Sequence, residues 1–213
     1  MNVTLINHMG TDLTVTNSAR VSFDKKSDTL TSKDKKLIRY LAKNGHWTPF
    51  GHCFIQFKIK APIFVARQLV KHQVGLVWNE VSRRYVSDDP EMWVPEEWRK
   101  ASEDKKQGSS DELVMSQQLV GGKYKEAIWE CFQVYKSLLD LKVCEEQARA
   151  VLPQSTMTEW YWSGSIAAFA RVCKLRLAED TQLETRIIAQ EMNSLLTKQF
   201  PISWNALINQ QEV

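Results

Sequence analysis

The chain holds only eight glycines in 213 residues, and they never assemble into GxGxxG or GxxxxGK[ST]. A nucleotide bound here is therefore held by neither of the common glycine-rich phosphate loops. The four cysteines, Cys53, Cys131, Cys144 and Cys173, include no CxxC pair. The histidines His8, His46, His52 and His72 never fall at HxxxH or HExxH spacing. Both absences remove the usual sequence grounds for a metal site, so none is expected, and the thiols should be reduced and mostly buried. No apolar run approaches the roughly 18 residues of a membrane span, and "MNVTLINHMGTDLTV" lacks a basic segment followed by a long apolar one. A soluble protein is expected, in the cytoplasm of a cell or, were the chain viral, of an infected host. The formal charge is only +3, and the basic residues are scattered through "DKKSD", "SKDKK" and "EDKKQG". That pattern excludes a broad polyanion-binding stripe and suits a small phosphate-bearing ligand better than DNA.

What is present is an ordinary globular composition, 43% hydrophobic and 25% charged, long enough for one substantial core, so residues 1–213 are read as one domain. "NVTLI" and "DLTVT" read as short strands, and "KDKKLIRYLAKNG" as a helix ended by Asn44-Gly45. "HCFIQFKIKAP" alternates best, with Cys53, Ile55, Phe57 and Ile59 on one face. Pro62 then opens a helix through "IFVARQLVKH", on which Gln68, Lys71 and His72 share a side. Residues 88 to about 123 read as a loop-rich insert whose Met92, Trp93, Val94 and Trp98 could pack as a flap, with Asp104 to Asp111 of low complexity. An amphipathic helix runs from Tyr124 to about Val143, and further helices are expected at roughly 160–177 and 181–199. The fold class is α+β, a mixed sheet flanked by helices.

The stretch "KHQVGLVWNEVSRRYV" carries the chemistry. It places Lys, His, Gln, Asn, Glu, Ser and two Arg directly after the apolar run "APIFVARQLV". Extended, "NEVSRRY" would turn Glu80, Ser82 and Arg84 to one side and Val81 and Tyr85 to the other. The bland alternative is a salt-bridged structural loop. Two more cations, Arg149 in "ARAVLP" and Arg176 in "FARVCKLRL", sit in apolar surroundings and call for anionic partners. For Arg149 a helix-end ion pair would suffice. Arg176 lies one turn beyond Val172 and Cys173, beside the buried stripe.

Together these segments resemble the flavin-dependent thymidylate synthases, from "GTDLTVTNSARVSF" through to "FPISW". The family signature, Arg-His-Arg followed by Asn-Glu-x-Ser-x-Arg-Tyr, is met here by "KHQ" and "NEVSRRY", and "TPFGHCFIQFKIKAPIFVARQ", "ARAVLP" and "LRLAEDTQLE" agree with it in order. The resemblance implies reductive methylation of dUMP to dTMP, with methylenetetrahydrofolate as carbon donor, FAD as hydride carrier and NADPH as the usual reductant. It also implies a homotetramer whose active sites form where subunits meet. Exposed helical faces such as Ile187, Ile188, Leu195 and Leu196 are compatible with that assembly. By family position, Gln68, Lys71, Glu80, Ser82, Arg83 and Arg84 should surround dUMP, with Arg149 arriving from another subunit. Arg176 should face the uracil carbonyl and N3 and act catalytically. For FAD, the implied set is Ser22, His52, Lys71, His72, Gln73 and Glu80, the last touching both ligands.

Two departures fall on the flavin side. The triplet is Lys-His-Gln, so one cation becomes compact and another is lost, and "VGLVW" is one residue longer than usual. Where the family often has Asn and Arg contacts to FAD, this chain offers Ser165, Ala167 and Arg171, and Arg171 could offset Gln73. Two rival readings follow: a flavin or uridine-nucleotide binder without turnover, and a nucleic-acid module using the many Trp residues.

Overall fold

The computed structural model describes residues 1–102 and 109–209. Most of the Asp104 to Asp111 stretch lies outside them. The chain opens with β1 (Asn2–Met9), which ends at Gly10 with φ +88°. It continues with α1 (Asp12–Arg20), α2 (Ser32–Lys43) and α3 (Thr48–Gly51). The strand β2 (Phe54–Pro62) leads directly into α4 (Ile63–Leu69), and β3 (Leu76–Glu80) follows. A hairpin of β4 (Arg99–Ala101) and β5 (Ser109–Leu113) precedes the long α5 (Gln117–Asp140) and the short α6 (Glu145–Ala148). The strand β6 (Met157–Ser165), α7 (Ile166–Arg176), α8 (Leu183–Gln199) and α9 (Ser203–Ile208) complete the described elements.

The main sheet is antiparallel throughout rather than mixed as expected, because each pair of neighbouring strands runs in opposite directions, in the order β1-β2-β6-β3. Its period-2 pattern decides which side is covered. Ile55, Phe57, Ile59, Trp160 and Trp162 point to one face and are buried there with Phe169, Met192, Leu196 and Trp204 from the helices. On the other face Lys58 pairs with Glu159 at 2.8 Å, and Lys60 with Glu91. One close approach needs glycine: a Cβ on Gly164 would stand 2.5 Å from Leu76 Cδ2 and 2.6 Å from the Gly75 carbonyl. That contact draws the Gly75 turn, φ +73°, down onto the end of β6.

Six further expectations are corrected. "DLTVT" is helical, because Thr11 and Thr14 form a capping box and the buried Asp12 carboxylate accepts from Ile202 N (3.0 Å) and Ser203 N (2.8 Å), tertiary bonds that outweigh a short alternation. Residues 157–165 are a strand, where Trp160 and Trp162 alternate inward, and the helix begins only after Ser165, whose hydroxyl accepts from Ala168 N at 3.2 Å. The helix after Pro62 stops at Leu69, so Lys71 and His72 lie on the turn beyond it. "NEVSRRY" is extended only as far as Val81, whose N–H reaches the Glu159 carbonyl, and then turns, with Tyr85 N bonded to Ser82 O. The described part of the 88–123 stretch is not all loop: β4 pairs with β5, and α5 begins seven residues before Tyr124. Finally, Ile188 and Leu196 are fully buried in the core, so only Ile187 and Leu195 of that face retain exposure.

Candidate active site

Strand β3 separates two groups of polar residues. Its five residues span about 13 Å from first to last at roughly 3.3 Å per step. At the Leu76 end lie the turn 70–75, the last turn of α4 and, through Arg176 and Arg171, α7. At the Glu80 end lie Ser82, Arg83, Arg84 and Arg149.

The first group is tied together within the chain. Arg176 is half-buried; its Nε donates to His72 Nε2 at 3.0 Å and its Nη2 reaches the Gln68 carbonyl at 3.5 Å. Among the described residues no carboxylate stands within ion-pair distance of it. Accepting from a guanidinium requires an unprotonated Nε2, so His72 is the neutral tautomer with its proton on Nδ1. Burial, and then the neighbouring Arg176 charge, hold the His72 pKa below its ordinary value. Burial also lowers that of Arg176. The Gln68 amide is held at both ends: Thr185 Oγ1 donates to its Oε1 at 3.0 Å, and its Nε2 donates to Gln182 Oε1. Lys71 and Gln73 are exposed, and Arg171 Nη2 caps the Val74 carbonyl at 2.8 Å. His52 is exposed just before Cys53, whose carbonyl receives Ile166 N at the start of α7, so it stands at this same end of the sheet. Ser22 is exposed on the short helical turn after α1.

The second group is looser. Glu80 accepts from Thr158 Oγ1 at 2.7 Å and from Trp78 Nε1 at 3.1 Å. Arg84 is exposed; its Nε donates to Ser82 Oγ at 3.1 Å and its guanidinium lies over the Tyr85 ring. Arg83 donates to the Asp88 carbonyl. Arg149 is exposed and its Nε donates to the Glu146 carbonyl at 3.4 Å; among the described residues it forms no helix-end ion pair. Glu80, Arg83 and Arg149 line one pocket of 400 Å³. The residues expected around dUMP are thus divided between the two ends of β3.

Sequence reasoning missed Gln182, Thr185, Glu184 and Arg99, which tie Gln68 in place. Gln182 and Glu184 stood in the quoted "LRLAEDTQLE", but nothing in their spacing connected them to Gln68, 114 residues away for Gln182. The tryptophans serve packing: Trp160, Trp162 and Trp204 are buried, Trp78 stacks on Trp160 with centroids 4.4 Å apart, and Trp93 and Trp98 meet Phe64 and Tyr124. Trp47 and Trp129 remain exposed singly, which is not a stacking platform. Cys53 and Cys173 are buried, Cys131 is partly buried and Cys144 is exposed. Burial pushes the Cys173 thiol up to about 12, and burial with the Asp12 carboxylate does the same to Cys53.

The model of the thymidylate synthase complementing protein family matches residues 4–202. A flavin-dependent thymidylate synthase of Kosmotoga olearia is 36% identical over 210 residues, covering 97% of this chain and 90% of that protein. Its counterpart in Thermus thermophilus is 35% identical over 204 residues, covering 96% and 74%. Among solved structures, the UMP/dUMP methylase PolB of Streptomyces cacaoi, bound with 5-Br UMP, superposes with a TM-score of 0.86 at 28% identity, covering 97% of this chain and 93% of that one.

Proposed function

The chain belongs to the thymidylate synthase complementing protein family, and on that footing we propose that it converts dUMP to dTMP by reductive methylation. Methylenetetrahydrofolate gives the carbon, FAD carries the hydride and NADPH restores the flavin. The observation that carries this reading is Arg176, a half-buried guanidinium with neutral partners and, among the described residues, no carboxylate. Such a cation is favoured by an incoming anion or by charge that develops beside it. C5 of the uracil attacks the carbon donor from a ring polarised toward its enolate, with negative charge held on the ring carbonyl and N3. Arg176, held by His72 and Gln68, is already oriented to receive it. No thiolate is needed, and Cys53 and Cys173 are far from ionising at neutral pH.

Gln68 and Lys71 approach the nucleotide from the same end as Arg176, while Glu80, Ser82, Arg83, Arg84 and Arg149 belong to the other end. A homotetramer resolves the division, each site taking the first group from one protomer and the second from another. The half-covered apolar side of α5, with Ile128, Cys131 and Phe132, supports assembly. The donor set at the turn fits FAD: Lys71, Arg171 and His52 suit phosphate or ring polar atoms, and the exposed Val74 and Val77 offer aliphatic surface to a flat ring. His72, Gln73 and Ser22 complete that set, and Glu80, from the other end, touches both ligands. Bound there, the flavin supplies the hydride that completes the methyl group. The whole of 1–213 acts as one unit.

The test is dTMP formation from dUMP by the flavin-loaded protein with methylenetetrahydrofolate and NADPH, with each component omitted in turn and UMP tried beside dUMP. Flavin and dUMP binding without dTMP would overturn the proposal and leave a nucleotide binder.

A further inference from the structure

Three side chains, Arg99, Glu184 and Gln182, connect the β4/β5 hairpin to Gln68. Arg99 Nη2 donates to Glu184 Oε1 at 2.8 Å while its Nε donates to Ser109 Oγ at 2.7 Å, so the guanidinium bridges the hairpin to the first turn of α8. The Glu184 side chain is only 9% exposed, and that of Arg99 only 21%. On its other oxygen Glu184 accepts from Gln182 Nε2 at 2.9 Å. Gln182 in turn presents Oε1 to Gln68 Nε2, and Thr185 Oγ1 closes the series on Gln68 Oε1.

The chemistry of this series is directional. An amide side chain can turn over, exchanging its donor and acceptor ends at almost no change in shape. An ionised carboxylate only accepts, so Glu184 forces the Gln182 NH2 toward itself and the Gln182 oxygen toward Gln68. That oxygen forces the Gln68 NH2 toward Gln182, and the Gln68 oxygen is left to the Thr185 hydroxyl. One buried carboxylate thereby fixes the polarity of two amides in sequence, and Arg99 is its ion-pair partner at 2.8 Å.

We infer that Arg99 and Glu184 are positioning residues which, through Gln182, set which end of the Gln68 amide meets the nucleotide. The inference rests on the proposed role of Gln68 at dUMP. It makes the hairpin part of the site's support although it contributes no ligand contact.

Glu184→Gln keeps the shape and removes the obligate acceptor, so both amides can turn over. In the flavin-loaded protein this variant should raise the KM for dUMP about tenfold, the scale of a lost hydrogen bond, with kcat and flavin content little changed. Arg99→Ala should move KM in the same direction, and Arg99→Lys should recover part of it by keeping the charge. Added to Gln68→Ala, Glu184→Gln should have no further effect on KM, since the two act through one amide. A fall in melting temperature with an unchanged KM, or additive effects in the double variant, would overturn the inference and leave the series a structural strut. If Gln68→Ala alone weakens dUMP binding and Glu184→Gln does not, the positioning fails while the reading of the site stands. If Gln68→Ala itself leaves dUMP binding untouched, both fail.

Discussion

The two ends of β3 are built in opposite ways. At the Leu76 end Gln68, His72 and Arg176 are partly buried and bonded to one another and to α8, so their geometry exists before any ligand arrives. At the Glu80 end Arg84 and Arg149 are exposed, and their hydrogen bonds go to Ser82 Oγ and a backbone carbonyl. Charge stabilisation during reaction demands groups that need no reorganisation, which the first end offers. Capture of a phosphate tolerates mobile cations, which the second end offers. On the proposed function, charge stabilisation would fall to the first end and phosphate capture to the second.

The sharpest way to break this comparison is Arg176→Lys. The ammonium keeps the charge but cannot reproduce the two-donor fork, so turnover should fall at least about a hundredfold, within the roughly 2.7 to 4 kcal/mol range of a lost transition-state donor. Folding and flavin content should persist. Single-turnover flavin oxidation measures it, and near-normal rates would return Arg176 to structural duty. Arg149→Ala should act differently, weakening dUMP by about 1.5 to 3 kcal/mol with little change in melting temperature, since the side chain is exposed and its bond to the Glu146 carbonyl is long. Mixing the two impaired chains at dilute dUMP should then raise activity above the sum of the two alone if each site draws on two protomers; no gain after verified subunit exchange would defeat the shared site.

Smaller effects sharpen the contrast. Gln73→Arg should tighten FAD by up to about 1.5 kcal/mol if the missing charge matters, and be neutral if Arg171 already supplies it; flavin titration decides. His72 gives a pH test. Its folded pKa lies below the ordinary 6.5 because burial and Arg176 oppose protonation. The unfolded chain therefore binds the proton more readily, so the stability His72 contributes is full above about pH 6.5 and is lost as pH falls through that value toward the lower folded one. His72→Gln, which keeps an acceptor for Arg176, should flatten that portion of the melting-temperature profile. Parallel profiles would exclude His72 as its source. The smallest effect belongs to the thiols: Cys173→Ala should cost about 1 kcal/mol of stability and spare turnover. A collapse of turnover with both ligands retained would demand a nucleophile.

What was legible in the sequence followed the strength of local pattern. β2 and α2 were readable because alternation and an Asn44-Gly45 stop act locally, and Gly45 does adopt φ +69°. Residues 157–165 were not, because an aromatic-rich run before a real helix carries no boundary of its own until Ser165 caps it. "DLTVT" failed for a different reason: Asp12 satisfies N–H groups some 190 residues away, and a linear reading cannot see that partner. The site divided along the same line. Arg176 could be singled out by its place beside a buried stripe, whereas Gln182 and Arg99 matter only through neighbours that folding brings to them.

The stacking of Trp78 on Trp160, 18° from parallel, has an optical consequence. Two indoles this close couple their electronic transitions, and the Trp78 N–H is held by the Glu80 carboxylate at 3.1 Å. Any ligand that draws Glu80 into a new bond alters the field on one chromophore of a coupled pair. In the flavin-free protein, near-ultraviolet circular dichroism and tryptophan emission should therefore report the filling of the Glu80 end without a label.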